Sequence, residues 1–436
     1  MKRRAFVATA LSASRVIGAN DRVRIGLIGA GGRGFYVATL MKKAPHVDYV
    51  AVADVWEPNQ RKTRDWAGAD CRMFTDFRKV LDLKDVDAVH VGASDHWHCI
   101  PTVMACAAGK DVYVEKPLGH NIREQQAMVK AARKHNRIVQ TGTQHRSAPH
   151  FPEVAEIIRS GELGEIRFIR VWNYANFSAS PVTPAADSAP PAGLDWDLYL
   201  GPAPKVPYNP RRHLVTYRYF FDYAGGYITD FGIHRLDTVH QVMGLDAAGA
   251  GPKSVSAVGG RFTWKGPGDV PDTLQATFEY PGFVLSYEGV NTNGFGVGAL
   301  TPGHKYYNQT FEHDQPNGIC IYGTNGTIFC ERIGYEVFPE PVSRLEKKPR
   351  IKERRRNVVD ATEAHAANFV ECVRSRKRPN ADVEIGHRSS LIAHLGNIAY
   401  KTGRKIRWDS EREQIMGDPQ ASALLGREAR KPWDLV

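Results

Sequence analysis

Cysteine is scarce in this chain, six in 436 residues, and no two of them form a C-x-x-C pair. That excludes the zinc-ribbon and thioredoxin-like classes, which rest on such pairs. Cys320 and Cys330 flank Thr324-Asn325-Gly326-Thr327, a hairpin-like turn. With Asn325-Gly326 as a two-residue loop, Cys330 pairs with Ile321 and Cys320 with Glu331. The two sulfurs then face opposite sides of the hairpin, and six free thiols are expected. No run approaches the roughly 20 apolar residues of a membrane span, so no integral membrane segment is expected. Acidic residues are outnumbered, 47 Asp+Glu against 58 Lys+Arg, for a formal charge of +11. No recognition motif or stacking platform accompanies that excess, which argues against nucleic acid as a partner. Clusters such as Arg350–Arg356 and Arg374–Arg378 read as solvated surface.

What is present is length and a globular balance. At roughly 150 residues per domain the chain holds two or three domains, enough for a core without disulfide or metal staples. Apolar residues make up 42% and charged residues 24%, unlike a disordered chain. At the N-terminus, Lys2-Arg3-Arg4 precedes a short apolar stretch ending near Ala13. Two readings stay open: a twin-arginine export signal over residues 1–20, hence a periplasmic protein, or a basic start on a cytoplasmic one.

From Arg22 the chain reads as a dinucleotide-binding unit. Val23-Arg24-Ile25-Gly26-Leu27-Ile28 is a buried-strand pattern running into Gly29-Ala30-Gly31-Gly32-Arg33-Gly34, a complete G-x-G-x-x-G. Gly29 permits the tight turn, Gly31 lets the backbone approach a pyrophosphate, and Gly34 lets the following helix sit close to the strand. The helix start then offers unpaired N–H groups to the phosphates. A second strand, 47–53, ends at Asp54, where a carboxylate meets the adenosine ribose hydroxyls and repels a 2′-phosphate, favouring NAD over NADP. Arg33 and Arg61 are the cations that bear on that choice. Strands at 86–91, 111–114 and 138–141 alternate with helices at 100–108 and 122–135, implying a parallel, doubly wound sheet ending near Arg146. The division expected is a Rossmann domain over 21–147 and a second α/β domain over 148–436.

Ligands bind beyond the carboxyl ends of such strands, and three of those ends are polar: Ser94-Asp95-His96-Trp97-His98, Glu115-Lys116-Pro117 and Gly142-Thr143-Gln144-His145-Arg146. Ser94, His98, Glu115, Lys116 and Gln144 therefore join Gly29, Ala30, Gly31, Gly32, Arg33, Gly34 and Asp54 as expected cofactor contacts. Lys116, between a carboxylate and a proline, reads as a held proton donor. His96-x-His98 has no third ligand at suggestive spacing, so no metal is expected. One of the two histidines lines the nicotinamide side and the other bonds locally.

Beyond Pro149 come a short helix near 154–160, an alternating strand at 166–172, and a Pro-rich loop from Ser178 to Pro210 that reads as a lid or binding segment. Strands at 254–258, 274–278 and 284–287 suggest a largely antiparallel sheet. On a helix of 3.6 residues per turn, Asp230, His234 and Asp237 share one arc, while Ile233, Leu236, Val239 and Met243 share another. A histidine with a carboxylate one turn before and one turn after it is placed for general acid–base work.

Gly29-x-Gly31-x-x-Gly34, Asp54, Glu115-Lys116-Pro117 and Asp230-x-x-x-His234, in this order, resemble the glucose–fructose oxidoreductase, inositol dehydrogenase and rhizopine catabolism (Gfo/Idh/MocA) family. The likeness runs from Arg22 over nearly the whole chain, and Pro379-Asn380-Ala381-Asp382 with Gly386-His387-Arg388 looks like the exported bacterial type. The family's usual Thr-Pro before the Asp-His-Trp-His stretch is Ala93-Ser94 here. The resemblance implies a second domain with a large open sheet, a homodimer or homotetramer, and hydride transfer between nicotinamide and a hydroxyl-bearing carbon of a sugar, glycoside or cyclitol. It implies His234 as the acid–base group, Lys116 holding and helping to deprotonate the hydroxyl, and Asp230 orienting the site. Trp172, Tyr217, Arg218 and Asp237 are further candidates for sugar contacts or for packing. Two other activities stay in view: an NAD-dependent glycoside hydrolase with cofactor recycling, and a nucleotide-binding regulator, against which the joint presence of Lys116, Asp230 and His234 argues.

Overall fold

The structure is a computed structural model that describes residues 22–177, 182–296, 305–306, 309–310, 316–341 and 348–434. The expected export signal over 1–20 lies outside the described residues. The first domain alternates β1 (Val23–Ile28), α1 (Gly32–Met41), β2 (Val47–Ala53), α2 (Glu57–Ala67), β3 (Arg72–Phe74), α3 (Arg78–Leu81), β4 (Ala88–Val91), α4 (Cys99–Ala107), β5 (Asp111–Val114), α5 (Ile122–Lys134) and β6 (Val139–Thr141). Among the described residues its six strands form one parallel sheet in the order β3-β2-β1-β4-β5-β6. The reversal of order lies between β1 and β4, and the cleft opens there, at the strands' carboxyl ends. The strands are near-continuous apolar runs because helices cover both faces. The charged α2 and the short β3 have no counterpart in the expectations above; α2 carries little apolar periodicity and buries only Gln60 and Thr63.

The second domain runs through α6 (Phe151–Arg159), β7 (Ile166–Asn176), α7 (Trp196–Leu200), α8 (Ile233–Met243), β8 (Ser254–Gly260), β9 (Thr273–Tyr280), β10 (Phe283–Val290), β11 (Thr292–Asn293), the isolated pair β12 (Lys305–Tyr306) and β13 (Gln309–Thr310), then β14 (Asn317–Gly323), β15 (Gly326–Glu331), β16 (Gly334–Pro339) and β17 (Arg354–Asn357). It closes with α9 (Thr362–Ser375), α10 (Val383–Thr402), β18 (Ile406–Asp409), β19 (Gln414–Ile415) and α11 (Pro419–Ala423). Its large sheet is antiparallel except where β10 lies parallel to β7. Leu236, Val239, Ile392 and Leu395, from α8 and α10, bury one face of that sheet against Phe278, Leu285 and Ile319.

The two halves of the chain interleave in space. The helix α9 packs Ala366, Phe369 and Val370 into the core of the first sheet, beside Ile25, Val37 and Tyr113. The basic clusters are surface but not simply solvated: Arg354 pairs with Glu162, Arg355 with Glu336, and Arg376 with the buried Asp111.

The cysteine hairpin is in a different register from the one expected. Thr324-Asn325 form the loop, so Cys320 opposes Phe329 and Cys330 opposes Ile319. The turn is held by its neighbours: Thr324 N–H donates to Glu165 O at 3.2 Å and Asn325 N–H to Leu163 O at 3.1 Å. The sulfurs still face opposite sides, and all six thiols are free and buried.

Candidate active site

A cleft of about 740 Å³ lies between the carboxyl ends of the parallel strands and the second domain. Gly29, Gly31, Gly32, Arg33, Asp54, Ser94, His98, Glu115, Lys116 and Gln144 line it from the first domain, and Tyr217, Arg218, Asp230 and His234 from the second. The strand ends therefore bring most of the expected residues together.

The glycine turn works by two kinds of space. Gly29 has φ +84°, and a Cβ there would fall 2.4 Å from Ala93 N. A Cβ on Gly34 would fall 2.2 Å from Gly29 O, so the start of α1 sits against the strand turn. At Gly31 and Gly32 a Cβ would meet nothing within 4 Å, and the first turn of α1 opens onto the cleft. These residues fit a dinucleotide: a backbone cradle at a helix start, with a carboxylate at the end of the next strand. Asp54 is fixed there by N–H donors from Ala30 at 2.7 Å and Trp56 at 2.8 Å, and by Asn59 at 3.2 Å. Burial pushes its carboxyl up, against the pull of those three bonds. Ala30 thus reaches the site through its backbone, as a donor to Asp54.

Arg33 Nε donates to Glu115 Oε1 at 2.9 Å. Burial alone would raise Glu115, but Arg33 first and then Lys116 hold it below the usual carboxylate range. Arg61 pairs with Glu57 on the surface and is not part of the cleft lining.

At the inner end, Lys116 Nζ donates to both the main-chain O and Oδ1 of Asp230, each at 2.6 Å, while Arg218 Nε lies 3.1 Å from Asp230 Oδ2. The Lys116–Pro117 peptide is cis. Burial would raise Asp230, but the two cations outweigh it and bring the carboxyl down to about 2. His234 is buried, its Nδ1 has no hydrogen-bond partner among the described residues, and its ring sits 5.3 Å from that of His145. Burial first, then Lys116 and Arg332, push the imidazole well below its usual value, so it stands neutral. Gln144 Oε1 is likewise buried and, among the described residues, unpartnered. Tyr217 O–H donates to Asp95 Oδ1 at 3.0 Å, tying the second domain to the end of β4.

Two expectations fail, the shared arc and the role of Asp237, and for Trp172 one of the two alternatives is decided. Asp230 lies in a π-helical turn, Ile228–Gly232, that precedes α8, so the extra residue per turn rotates it away from the arc of Asp237. Asp237 points into the core instead, accepting from Arg146 Nε at 2.9 Å and from Ser389 Oγ. It is neither a second orienter for His234 nor a sugar contact. Trp172 is fully buried within β7, stacked on Phe329 at 5.9 Å, and is a packing residue. Of the two histidines after β4, His98 lines the cleft, its ring nitrogens 2.6 Å from Pro117 O and 3.0 Å from Ala93 O. His96 is turned away to Tyr199 O at 2.9 Å. Sequence reasoning missed Asp95, whose role depends on Tyr217 far along the chain, and Arg332 at the end of β15, which no local motif marks.

A family model described as "Oxidoreductase family, NAD-binding Rossmann fold" matches residues 23–143, and its companion "C-terminal alpha/beta domain" matches 167–259 and 322–435. The chain belongs to the Gfo/Idh/MocA oxidoreductase family. Its first domain is that family's NAD-binding unit. Among curated relatives, it is 23% identical over 256 residues to an uncharacterized oxidoreductase, YrbE, of Bacillus subtilis, covering 58% of this chain and 63% of that protein. It is 30% identical over 166 residues to the myo-inositol 2-dehydrogenase of Thermotoga maritima, covering 38% of this chain and 48% of that enzyme. These matches span from about half to just under two thirds of the relatives' length. In fold it is similar to a levoglucosan dehydrogenase solved with NADH and levoglucosan, at TM-score 0.65 and 18% identity over 88% of this chain and 99% of that one.

Proposed function

We propose that this family member is an NAD-dependent oxidoreductase acting on a hydroxyl-bearing carbon of a sugar, glycoside or cyclitol. One observation carries the reading: Lys116, tethered by Asp230, and the neutral His234, whose Nδ1 has no partner among the described residues, converge in the same cleft as the dinucleotide cradle. A bound nicotinamide supplies the two-electron acceptor. This chain's residues then do the proton work. Lys116 donates a hydrogen bond to the substrate oxygen, His234 in its neutral form takes the hydroxyl proton, and Asp230 and Arg218 hold Lys116 in register. Glu115, His98, Ser94 and Gln144 surround the reacting end of the cofactor site. The Asp54 carboxylate supports NAD over NADP, because a 2′-phosphate would face it; Arg61, turned away, does not offset that charge.

A homodimer or homotetramer is part of the same proposal. Phe168 and Tyr322 stack at 5.6 Å on the outer face of the large sheet, and with Phe338 they stay partly exposed, a surface suited to a second copy. Sedimentation of the purified chain tests it: a monomer at micromolar concentration contradicts it. Export to the periplasm is likewise proposed, on Arg3-Arg4 alone, and fractionation of expressing cells tests it.

The function itself is tested by single-turnover mixing of NAD-loaded protein with a panel of sugars, cyclitols and glycosides, watching fluorescence of bound NADH. A substrate gives a rise that Lys116→Ala and His234→Ala abolish. An undiminished rise in both variants sinks the assignment. Steady release of aglycone from a glycoside, with no net NADH, marks the hydrolytic variant of the same chemistry.

A further inference from the structure

A working imidazole is usually oriented by a hydrogen bond at the ring nitrogen away from its reaction partner. Among the described residues His234 has no such bond at its buried Nδ1. Its ring lies instead beside His145, which leaves the end of β6 on a short 3₁₀ turn, Gln144–Ser147. The two ring centroids are 5.3 Å apart with 33° between their planes, and the His145 ring is itself stacked on Phe151 at 5.4 Å. Two imidazoles side by side compete for one proton, and the surroundings of His145 decide which of them takes it.

Chemistry assigns each donor there. A guanidinium only donates, so Arg332 Nε–H, 3.3 Å from His145 Nε2, makes that nitrogen an acceptor that carries no proton. A main-chain carbonyl only accepts, so Thr238 uses its one hydroxyl proton on His234 O at 2.9 Å. Thr238 Oγ1 is then left to accept from His145 Nδ1–H at 2.9 Å. The chain runs one way, from Arg332 through His145 and Thr238 to the His234 carbonyl, and it fixes a single tautomer. A proton added at His145 Nε2 would face the Arg332 N–H. Burial first and then Arg332 push this imidazole well below its usual value.

Arg332 is itself firmly seated. Its main-chain N–H donates to Glu331 Oε1 at 2.7 Å, and Arg235 grips the same carboxylate, Nε to Oε2 and Nη2 to Oε1, each at 3.0 Å. That ion pair is fully buried, the kind whose breaking is strongly destabilising. Arg235 follows His234 in α8, and its Nη1 donates to Phe231 O at 3.2 Å. The end of β15 and the start of α8 are thereby held together, with Arg332 set into the cleft lining.

We propose that Arg332 and Thr238 lock His145 as a non-basic seat for the His234 ring, leaving His234 the one imidazole of the pair able to act as a base. The inference rests on the oxidoreductase reading above, and it makes His145, Thr238 and Arg332 positioning residues. The charged groups around His234 are Lys116 at the end of β5, Asp230 four residues before it, Arg235 with Glu331, and Arg332, whose Nε lies 3.5 Å from Asp360 Oδ2. Arg332 acts on both rings. It occupies the only lone pair that His145 could offer a proton, and its charge adds to burial and Lys116 in keeping His234 neutral between turnovers.

The test is nitrogen-15 NMR of the imidazoles in the full chain, with His145 and His234 assigned from His145→Gln and His234→Gln. In the wild type, His145 is expected to carry its proton on Nδ1 alone and to hold that form from pH 8 down to pH 5. Arg332→Met removes the donor and the charge while keeping a long side chain. It should shift the His145 Nε2 resonance toward that of an unbonded imidazole and let His145 titrate about one pH unit higher, a tenfold gain in proton affinity. In the rate assay the same variant should lower kcat about tenfold with little change in KM, and Arg332→Lys should restore most of that loss. Should Arg332→Met fold poorly, Thr238→Val replaces it, with a changed His145 Nδ1 resonance and a lowered kcat that Thr238→Ser restores. A wild-type His145 protonated on Nε2, or charged above pH 5, overturns the proposal. So do His145 resonances that are the same in wild type and Arg332→Met, or a variant that raises KM and leaves kcat alone, which would make Arg332 a substrate contact. Wild-type protein that turns over no sugar, cyclitol or glycoside counts against the oxidoreductase reading, and the His145 spectra still decide the lock.

Discussion

Asp230 and Asp237 lie seven residues apart, the first half-buried and the second buried, both paired with cations, yet they face different parts of the molecule. Asp230 faces the cleft, where Lys116 and Arg218 hold it ionised down to about 2. Asp237 faces the core, where burial raises its carboxyl despite Arg146 and Ser389. A buried ion pair alone therefore does not mark a catalytic group. What separates the two is the company they keep: Asp230 lines the cleft with His234 and Gln144, whereas Asp237 lies off it and its Arg146 partner is itself tied to Asp246.

The largest effect expected from this contrast is on turnover. Lys116→Ala removes the group proposed to hold the substrate oxygen and should slow the chemical step by about 10²–10⁴-fold, the range for a lost acid–base group. Its unfolding midpoint should change far less than that of a core variant. Stopped-flow rates and a urea titration on one preparation decide it; a rate within tenfold of wild type removes Lys116 from the mechanism.

The mirror-image variant is Asp237→Ala. It strips a fully buried arginine of one of two carboxylate partners and should cost about 3 kcal/mol, the lower end for a broken buried pair because Asp246 remains. The folded fraction should keep its rate constant. A loss of rate without a loss of stability would return Asp237 to the site.

The same contrast explains what could be read from sequence. The parallel sheet was legible because its strands are buried on both faces and appear as short apolar runs, with Gly29 to Gly34 and Asp54 at fixed places in one βα unit. Lys116 was legible because it sits at a strand end. Asp237 was misplaced because a uniform 100° step ignores the π-turn, which no residue pattern announces. Trp172 was ambiguous because β7 carries aromatic and charged residues alike, and only the pairing with β14 shows which face meets Phe329. The segment around Gly193 and Asp195 was legible only as a long Pro-rich loop, since its place is set by main-chain bonds to Val55 and Glu57, more than 130 residues earlier.

Histidines carry the contrast into pH. His234 in the cleft and His90, His96, His240 and His365 elsewhere are all pushed down by burial, the last four to about 4, 3, 3 and 4. The unfolded chain takes up these protons near pH 6.5, while the folded protein excludes them. Stability is thus fully present above 6.5 and is lost as pH falls toward 4, by up to about 1.4 kcal/mol per pH unit for each such group. Asp230 stays ionised across this window, so the Lys116 tether persists while the fold weakens. Melting temperatures from pH 8 to pH 4 should fall steeply below 6.5; a flat profile from 6.5 to 5 would contradict the neutral histidines.

The smallest effect expected separates Trp172 from Tyr217. Trp172 is wedged between Phe329 and Gly318, where a Cβ on the glycine would fall 2.6 Å from the indole ring. Trp172→Phe keeps an aromatic ring but leaves part of that space empty, a cost of about 1–2 kcal/mol in unfolding with KM and kcat unmoved. Tyr217→Phe removes one hydroxyl and its bond to Asp95, a comparable or smaller stability change of about 1 kcal/mol. Yet Tyr217 lines the cleft beside Arg218, so its loss should appear in KM. If Trp172→Phe shifts KM and Tyr217→Phe does not, the boundary drawn between core and cleft in the second domain is in the wrong place.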